Sequence, residues 1–136
     1  MAANTWNGAP SATQLDKPEE TIRASQNAIN AGDLEGMVSR YEPNAVFIPA
    51  PGQVASGSEA IRETFAGLLA AKPRFELKIG SLHCVGDLAL ESFEWKFEGS
   101  DSDGNPMMLG GTGSAVLRRQ ADGRWLYVID NPFPFV

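Results

Sequence analysis

The final strand of the sequence constrains the fold more than any other stretch. Residues 123–133 follow a turn at Ala121-Asp122-Gly123 and are rich in β-branched and aromatic residues, which is typical of a strand. Apolar residues occupy both of its faces, so we expect a central strand that is covered on both sides. The two-residue period of a strand places Asp130 on the same face as Leu126 and Val128. A carboxylate on that face lies either at the rim of the sheet or inside a pocket.

The size and charge of the chain exclude several classes of protein. Its 136 residues suit one domain with a single core. The net charge of −6 argues against nucleic-acid binding, which requires clustered lysine and arginine. The single cysteine, Cys84, and the single histidine, His83, exclude an intrachain disulfide and a metal site built from these residue types. Because the two are adjacent, on a strand they point to opposite faces and form no catalytic pair.

The N-terminal residues predict a tail and not a targeting segment. Residues 1–16 are rich in small and polar residues, so we expect a flexible tail ahead of a single domain over residues 17–136. They lack the basic start and apolar core of a secretory signal. The sequence also has no run of about 18 apolar residues, the length that a membrane span needs. We therefore expect a cytoplasmic protein that does not bind membranes.

Helices are expected before most of the strands. Lys17-Pro18-Glu19-Glu20 predicts a helix start, since proline and acidic residues suit the first turn, and Gly32 predicts its end. The next expected elements are a second helix over residues 33–41, a short strand over 45–49, a loop over 49–57 and a third helix over 58–71.

The second half of the chain predicts an antiparallel meander. Its expected strands cover residues 74–85, 88–98, 106–119 and the final segment. Three glycines between Gly110 and Gly113 indicate a bend or bulge in the third of these strands. The order α-α-β-α-β-β-β-β predicts an α+β fold in which a curved antiparallel sheet wraps around the N-terminal helices. Such a cone has an open end that suits a pocket.

Several phrases of the sequence resemble one known family, the SnoaL-like part of the nuclear transport factor 2-like superfamily. These phrases are Tyr41-Glu42-Pro43-Asn44-Ala45-Val46-Phe47, Gly57-Ser58-Glu59-Ala60-Ile61-Arg62, Gly86-Asp87-Leu88-Ala89-Leu90 with Trp95, Val116-Leu117-Arg118-Arg119-Gln120, Asp122-Gly123-Arg124-Trp125 and Ile129-Asp130-Asn131-Pro132-Phe133. The last phrase, with Val128, is similar to the SgcJ/EcaC-type subgroup. The resemblance covers residues 17–133.

The resemblance implies a cone-shaped, cystatin-like α+β barrel that usually dimerises through the outer face of its sheet. Members of the family include ketosteroid isomerases, polyketide cyclases, epoxide hydrolases and dehydratases. Most of the catalytic members use pocket carboxylates and aromatic hydroxyls and no cofactor, so we expect no cofactor here. Because one fold carries many functions, the resemblance specifies the fold more closely than the reaction.

Asp130 is the first candidate for a catalytic residue. Its place on a late strand is similar to that of the acid–base aspartate of polyketide cyclases in this superfamily, although the tryptophan that precedes that aspartate is absent here. A carboxyl facing an apolar cone loses hydration, which raises its pKa toward the range useful for proton transfer at neutral pH. The alternative is a structural aspartate that accepts backbone hydrogen bonds in a turn around Asn131-Pro132.

Glu91 is the second candidate. It shares a strand face with Phe93 and Trp95, so it lies inside the cone if they do. The alternative places this face in a dimer interface, with Glu91 at its rim or paired with Arg118. If both carboxyl groups enter the cone, Glu91 and Asp130 can share a proton or divide the roles of acid and base.

Tyr41 is the third candidate, because its hydroxyl suits a donor to a developing oxyanion. The alternative is a core tyrosine whose hydroxyl reaches the surface. The further residues expected to line the pocket are Trp95, Phe47, Phe65, Met108, Val128, Asn131 and Arg118.

Two functions remain open at this level. The first is cofactor-free acid–base catalysis, such as isomerisation, cyclisation or dehydration, on a small hydrophobic carbonyl compound. The second is a non-catalytic domain that binds a hydrophobic ligand or serves dimerisation. Trp125, Tyr127 and Ile129 are expected to lie exposed on the outer sheet face, where a homodimer would cover them.

Overall fold

Among residues 17–133, three helices form one layer. The computed structural model describes residues 17–133; the predicted tail over residues 1–16 lies outside this range. The helices are α1 (Pro18–Ala31), α2 (Leu34–Val38) and α3 (Ser58–Ala70). Helix α1 ends at Gly32, whose φ of 69° is the left-handed conformation that glycine adopts without strain. Asp33 then caps α2 by accepting a hydrogen bond of 2.9 Å from the Gly36 N–H.

Six strands form the other layer. They are β1 (Tyr41–Ala50), β2 (Gln53–Ser56), β3 (Arg74–Val85), β4 (Leu88–Ser100), β5 (Pro106–Arg119) and β6 (Trp125–Asn131). The strands lie in the order β2-β1-β6-β5-β4-β3. All neighbouring strands are antiparallel except β1 and β6, which are parallel. The last strand is therefore central, as the sequence predicts.

The core lies between the helices and the inner face of the sheet. Helices α1 and α3 bury Ile22, Ile61 and Phe65 against this face. Strand β4 contributes alternate buried residues, including Phe93 and Trp95, while the residues between them face outward. The predicted α+β architecture, a curved sheet over N-terminal helices, is confirmed.

The start of β1 differs from the prediction. The second helix ends at Val38, and Tyr41 is the first residue of a strand instead of the last residue of a helix. The reason is tertiary pairing: Tyr41 pairs with Tyr127 of β6, and the Tyr127 N–H donates to the Arg40 carbonyl at 2.8 Å. A short strand, β2, also forms inside the segment predicted to be a loop, because it pairs with β1.

Two bulges change which residues face the core. In β6, Val128 is an extra residue, because Val116 pairs with Ile129 whereas Leu117 pairs with Tyr127. A bulge of this kind shifts the alternation of side chains by one residue. Tyr127 and Asp130 consequently lie on the same, inner face. The predicted grouping of Asp130 with Leu126 and Val128 was wrong for this reason.

The same bulge corrects the prediction for the outer face. Trp125 and Tyr127 are 2% and 3% exposed, and only Ile129 of the three residues predicted to be exposed is accessible, at 44%. A second bulge lies at Gly80 of β3, where the pairing shifts between Ile79 and Ser81. Before the bulge, the odd-numbered residues Phe75, Leu77 and Ile79 face inward. After it, the even-numbered residues Leu82 and Cys84 do.

Candidate functional site

A cavity of about 90 Å³ lies between the helices and the inner face of the sheet. Its apolar lining consists of Ile29, Met37, Phe47, Pro49, Phe65, Leu68, Leu69, Phe75, Leu77, Phe93, Trp95, Phe97, Leu109, Pro132 and Phe133. Four polar side chains complete the wall, and they are Ser25, Tyr41, Tyr127 and Asp130. The cavity is thus an apolar chamber with a small polar corner.

Asp130 provides the carboxyl group of this corner. Its Oδ2 accepts a hydrogen bond of 2.5 Å from the Tyr41 hydroxyl. Burial raises the pKa of Asp130 to about 6, while the hydrogen bond from Tyr41 acts to lower it. The turn that follows the strand is made by Asn131 instead, whose Oδ1 accepts a hydrogen bond of 2.9 Å from the Phe133 N–H. Asp130 is therefore not the structural cap of that turn.

Glu91 lies on the same transverse row of the sheet as Asp130. Asp130 pairs with Ala115 of β5, and Ala115 pairs with Glu91 of β4. Two strand spacings separate the two backbones by roughly 10 Å, and the only side chain between them on this row is the small one of Ala115. Glu91 faces inward, as do Phe93 and Trp95, so its strand face is core and not a dimer interface.

The environment of Glu91 is unusual for a carboxyl group. Glu91 is 0% exposed, and neither of its carboxyl oxygens has a hydrogen-bond partner among residues 17–133. Burial, and to a smaller extent the charge of Asp130, raise the pKa of Glu91 to about 8. Glu91 does not line the cavity, and Arg118 does not neutralise it, because Arg118 pairs with Glu42 at 2.9 Å.

Two tyrosines stand side by side next to Asp130. The rings of Tyr41 and Tyr127 are 5.0 Å apart between centroids. The Ser25 hydroxyl donates to the Ile22 carbonyl at 2.8 Å, which leaves its oxygen free to accept from the Tyr127 hydroxyl, 3.4 Å away. Burial and the nearby charge of Asp130 raise the pKa values of both tyrosines well above the usual range. Both hydroxyls therefore stay protonated and act as donors.

Some of the residues predicted to form the site line the cavity, and others lie elsewhere in the structure. Tyr41, Asp130, Trp95, Phe47 and Phe65 all line the cavity. The hydroxyl of Tyr41 is buried beside Asp130, so it does not reach the surface.

Four residues predicted to line the pocket lie elsewhere. Met108 is 72% exposed on the outer face, because it pairs with Glu98 at an outward position of β4. Arg118 is exposed and bound to Glu42. Val128 is the bulged residue of β6, and Asn131 forms the turn that follows this strand.

Sequence reasoning missed Tyr127 and Ser25. Tyr127 is assigned to the wrong face because the bulge at Val128 depends on the pairing of β6 with β5 and leaves no mark in the sequence. Ser25 lies on the inward face of α1, beside the buried Ile22 and Ile29, and this helical spacing is a signal that the sequence does contain.

Two further findings concern metals and membranes. Within residues 17–133, no three His, Cys, Asp or Glu side chains lie close enough together to hold a metal ion. No helix in the described part of the chain combines the length and the apolar character that crossing a bilayer requires.

Comparison with known proteins identifies the family. The model of the SnoaL-like domain matches residues 22–128, most of the chain. The chain belongs to the SnoaL-like domain family. The matched residues of this SnoaL-like domain include Tyr41, Tyr127 and Glu91, whereas Asp130 lies two residues beyond the end of the match. None of the curated proteins matches its sequence.

Solved structures show the same fold at low sequence identity. A ketosteroid isomerase-like protein from Erwinia carotovora atroseptica is 18% identical, with 86% of this chain and 92% of that chain covered and a TM-score of 0.74. A nuclear transport factor 2-like superfamily protein from Salmonella enterica is 21% identical, with 82% and 84% covered and a TM-score of 0.69. A protein of this type with a cystatin-like fold from Novosphingobium aromaticivorans is 19% identical, with 82% and 75% covered and a TM-score of 0.68. The SnoaL-like domain thus shares the fold of these nuclear transport factor 2-like proteins.

Proposed function

We propose that this SnoaL-like domain catalyses cofactor-free proton transfer on a small hydrophobic carbonyl compound, with Asp130 as the acid–base group. The observation that carries the proposal is a carboxyl group at the wall of an apolar cavity, held by a tyrosine hydroxyl at 2.5 Å. Its pKa of about 6 suits a group that must both accept and release a proton near neutral pH. The similarity to a ketosteroid isomerase-like protein supports the same class of reaction.

Glu91 assists by remaining neutral when Asp130 is ionised. Because the pKa of Glu91 is raised to about 8 and that of Asp130 to about 6, the pair loses its first proton mainly from Asp130. A second negative charge beside the first is costly in an apolar surrounding. At pH 7 the pair therefore holds one proton, and Asp130 is the base.

The reaction begins when the Asp130 carboxylate takes a proton from the carbon next to the carbonyl group. The electrons of that C–H bond form the carbon–carbon double bond of an enolate, and the negative charge moves to the carbonyl oxygen. The Tyr127 hydroxyl turns from Ser25 Oγ, 3.4 Å away, to donate to this oxygen, while Tyr41 holds the carboxyl group in place. Protonated Asp130 then returns the proton to a carbon of the enolate, which leaves the enzyme unchanged.

Hydrogen exchange on small ketones tests the proposal. We would incubate the protein with acetone and butanone in D₂O and follow deuterium incorporation next to the carbonyl group by NMR. Asp130→Asn removes the base and should slow the exchange by roughly 100-fold or more. Asp103→Asn, which changes an exposed aspartate in the loop before β5, is the matched control.

Two results would contradict the proposal in different ways. Exchange that persists in Asp130→Asn would show that another group is the base. Ketones that raise the melting temperature without any exchange would favour a non-catalytic ligand-binding domain.

The proposal includes a homodimer formed through the outer face of the sheet. Leu90 and Ile129 are 52% and 44% exposed on this face, and they lie on one row across the sheet. A second copy would remove these apolar side chains from water. A cytoplasmic location stays a prediction from the sequence.

A further inference from the structure

The chain crosses the inner face of the sheet directly after its last strand. Beyond Asn131, Pro132 and Phe133 pass over β5 and reach β4. A Cβ atom on Gly113 of β5 would lie 2.6 Å from the Pro132 Cα and 2.8 Å from the Asn131 carbonyl oxygen, so only a glycine lets the crossing segment lie this close. The Trp95 indole N–H of β4 donates to the Pro132 carbonyl at 3.2 Å. We call residues 131–133 the strap.

Three contacts hold the strap in place. The hydrogen bond from the Phe133 N–H to Asn131 folds the chain back on itself. The ring of Phe133 meets the ring of Trp95 edge-on, with centroids 5.5 Å apart and an angle of 86° between the planes. The bond from Trp95 to Pro132 is the third contact. Each contributes little alone, so the strap is fixed by a small group of weak interactions.

The strap forms the wall of the cavity on the side where Asp130 lies. Pro132 and Phe133 both line the cavity, and Asp130 precedes the strap by one residue. The cavity measures about 90 Å³. An engineered apolar cavity that binds benzene measures about 150 Å³. With the strap in place, the chamber is thus smaller than a cavity known to bind benzene.

We propose that Phe133 sets the upper size limit of the ligand that reaches Asp130. The inference deepens the proposed function and rests on it for the role of Asp130. Its ligand class is narrower: short-chain apolar compounds with one polar group enter, and rings of the size of benzene or larger are rejected by the Phe133 ring. Gly113 is a positioning residue, since it acts on the ligand only through the strap, whereas Trp95 both lines the cavity and holds the strap.

Binding of hydrocarbons tests the size limit without any chemistry. Benzene and p-xylene carry no carbonyl group, so their binding depends only on available space. We would titrate both into the wild-type protein and into Phe133→Ala and follow binding by calorimetry and by NMR shifts of the cavity residues. Phe133→Ala should bind both compounds at least about tenfold more tightly than the wild-type protein does.

Two glycines of β5 provide matched variants of the strap's position. Gly113→Ala adds a methyl group where the strap lies and should push the strap outward, which also increases benzene affinity. Gly111→Ala adds the same group two residues away, where its nearest neighbour is the Trp95 Nε1 at the ordinary contact distance of 3.7 Å, and should behave like the wild-type protein. Phe133→Leu keeps an apolar side chain and replaces Phe133→Ala if that variant does not fold.

The results separate the size limit from the catalytic proposal. The size limit is overturned if wild-type protein binds p-xylene as tightly as the Phe133 variants do, or if these variants gain no affinity for benzene. The catalytic proposal, by contrast, is tested only by the ketone exchange of the wild-type protein and of Asp130→Asn. Hydrocarbon selectivity that depends on Phe133 would stand even if no ketone undergoes exchange.

Discussion

A buried carboxyl group without a hydrogen-bond partner is expensive, and Glu91 is such a group within the described part of the chain. Water would hydrate its charged form, whereas the surrounding Ala89, Phe93 and Ala115 do not. The protein therefore binds a proton at Glu91 more tightly than the unfolded chain does. A neutral group beside an ionisable one lets the site carry a single negative charge, which is why we assign Glu91 an assisting role.

The stability of the protein should fall as the pH rises through the range between the two pKa values of Glu91. The pKa is about 8 in the folded state and about 4.3 in the unfolded chain. Between these values the folded state holds more protons, so the free energy of unfolding decreases with increasing pH, by up to roughly 1.4 kcal/mol per unit. Urea unfolding at pH 5, 7 and 8.5 measures the loss.

The variant Glu91→Gln isolates the contribution of this one group. The amide cannot ionise, so the variant should lose less stability between pH 5 and 8.5 than the wild-type protein does. Glu94→Gln, an exposed position on the same strand, should keep the wild-type slope. Equal slopes in Glu91→Gln and the wild-type protein would mean that Glu91 already ionises at low pH, and the single-proton pair would then be wrong.

The sequence predicts some residues of the site better than others. Glu91 follows from the alternation of β4, which is regular from Ala89 to Phe97. The late position of Asp130 on its strand makes it a candidate. The sequence predicts the wrong neighbours on its face, because the bulge at Val128 interrupts the alternation of side chains. For the same reason, the sequence predicts Tyr127 on the outer face, although it lines the cavity. Bulges depend on the register between two strands, so no single stretch of sequence reveals them.

At the level of elements, helix α1 completes the edge of the sheet. Strand β3 is an edge strand, whose unpaired backbone groups would otherwise need water or another chain. The Asn30 side chain of α1 donates to the Phe75 carbonyl at 2.9 Å and accepts from the Phe75 N–H at 2.7 Å. The Gln26 side chain accepts from the Leu77 N–H at 2.9 Å. Two side-chain amides thus take the place of a neighbouring strand.

Removing one of these amides should loosen the helix from the sheet. Asn30→Ala loses both hydrogen bonds to Phe75, and we expect a fall of roughly 1–2 kcal/mol in the free energy of unfolding. Asn27→Ala changes an exposed asparagine on the same helix and should cost less. Urea unfolding measures both variants. An equal decrease in the free energy of unfolding of the two variants would show that the hydrogen bonds to Phe75 do not stabilise the protein.

Most of the elements were predictable because their signals are local. Pro18, the acidic first turn and Gly32 bound α1, and the alternation of apolar residues defines β4. Strand β2 has no such signal, since its four residues become a strand by pairing with β1. Tyr41 continued an apolar helical spacing in the sequence, but pairing with β6 places it in a strand. Tertiary contacts decided both cases.

At the scale of the whole molecule, the two faces of the sheet differ in what covers them. The inner face packs on the helices and the cavity. On the outer face, one row runs across four strands, from Leu90 to Val116, Ile129 and Val46. These residues are all apolar, and two of them are about half exposed. Such an exposed apolar row is typical of an interface that excludes water.

The outer face should therefore join two copies of the chain in solution. Light scattering at tens of micromolar should give about twice the chain mass of 14.6 kDa. Leu90→Glu places a charge in the centre of the row, where burial against a second copy would cost more than the contact gains, so this variant should be monomeric and folded. Met108→Glu adds the same charge at an apolar position that is 72% exposed near the start of β5, eight residues from Val116 of the row, and should stay dimeric. A wild-type monomer, or a dimer that Leu90→Glu leaves intact, would contradict this interface.

Because the cavity lies on the opposite face, a monomeric Leu90→Glu protein that still exchanges ketone protons would separate assembly from catalysis.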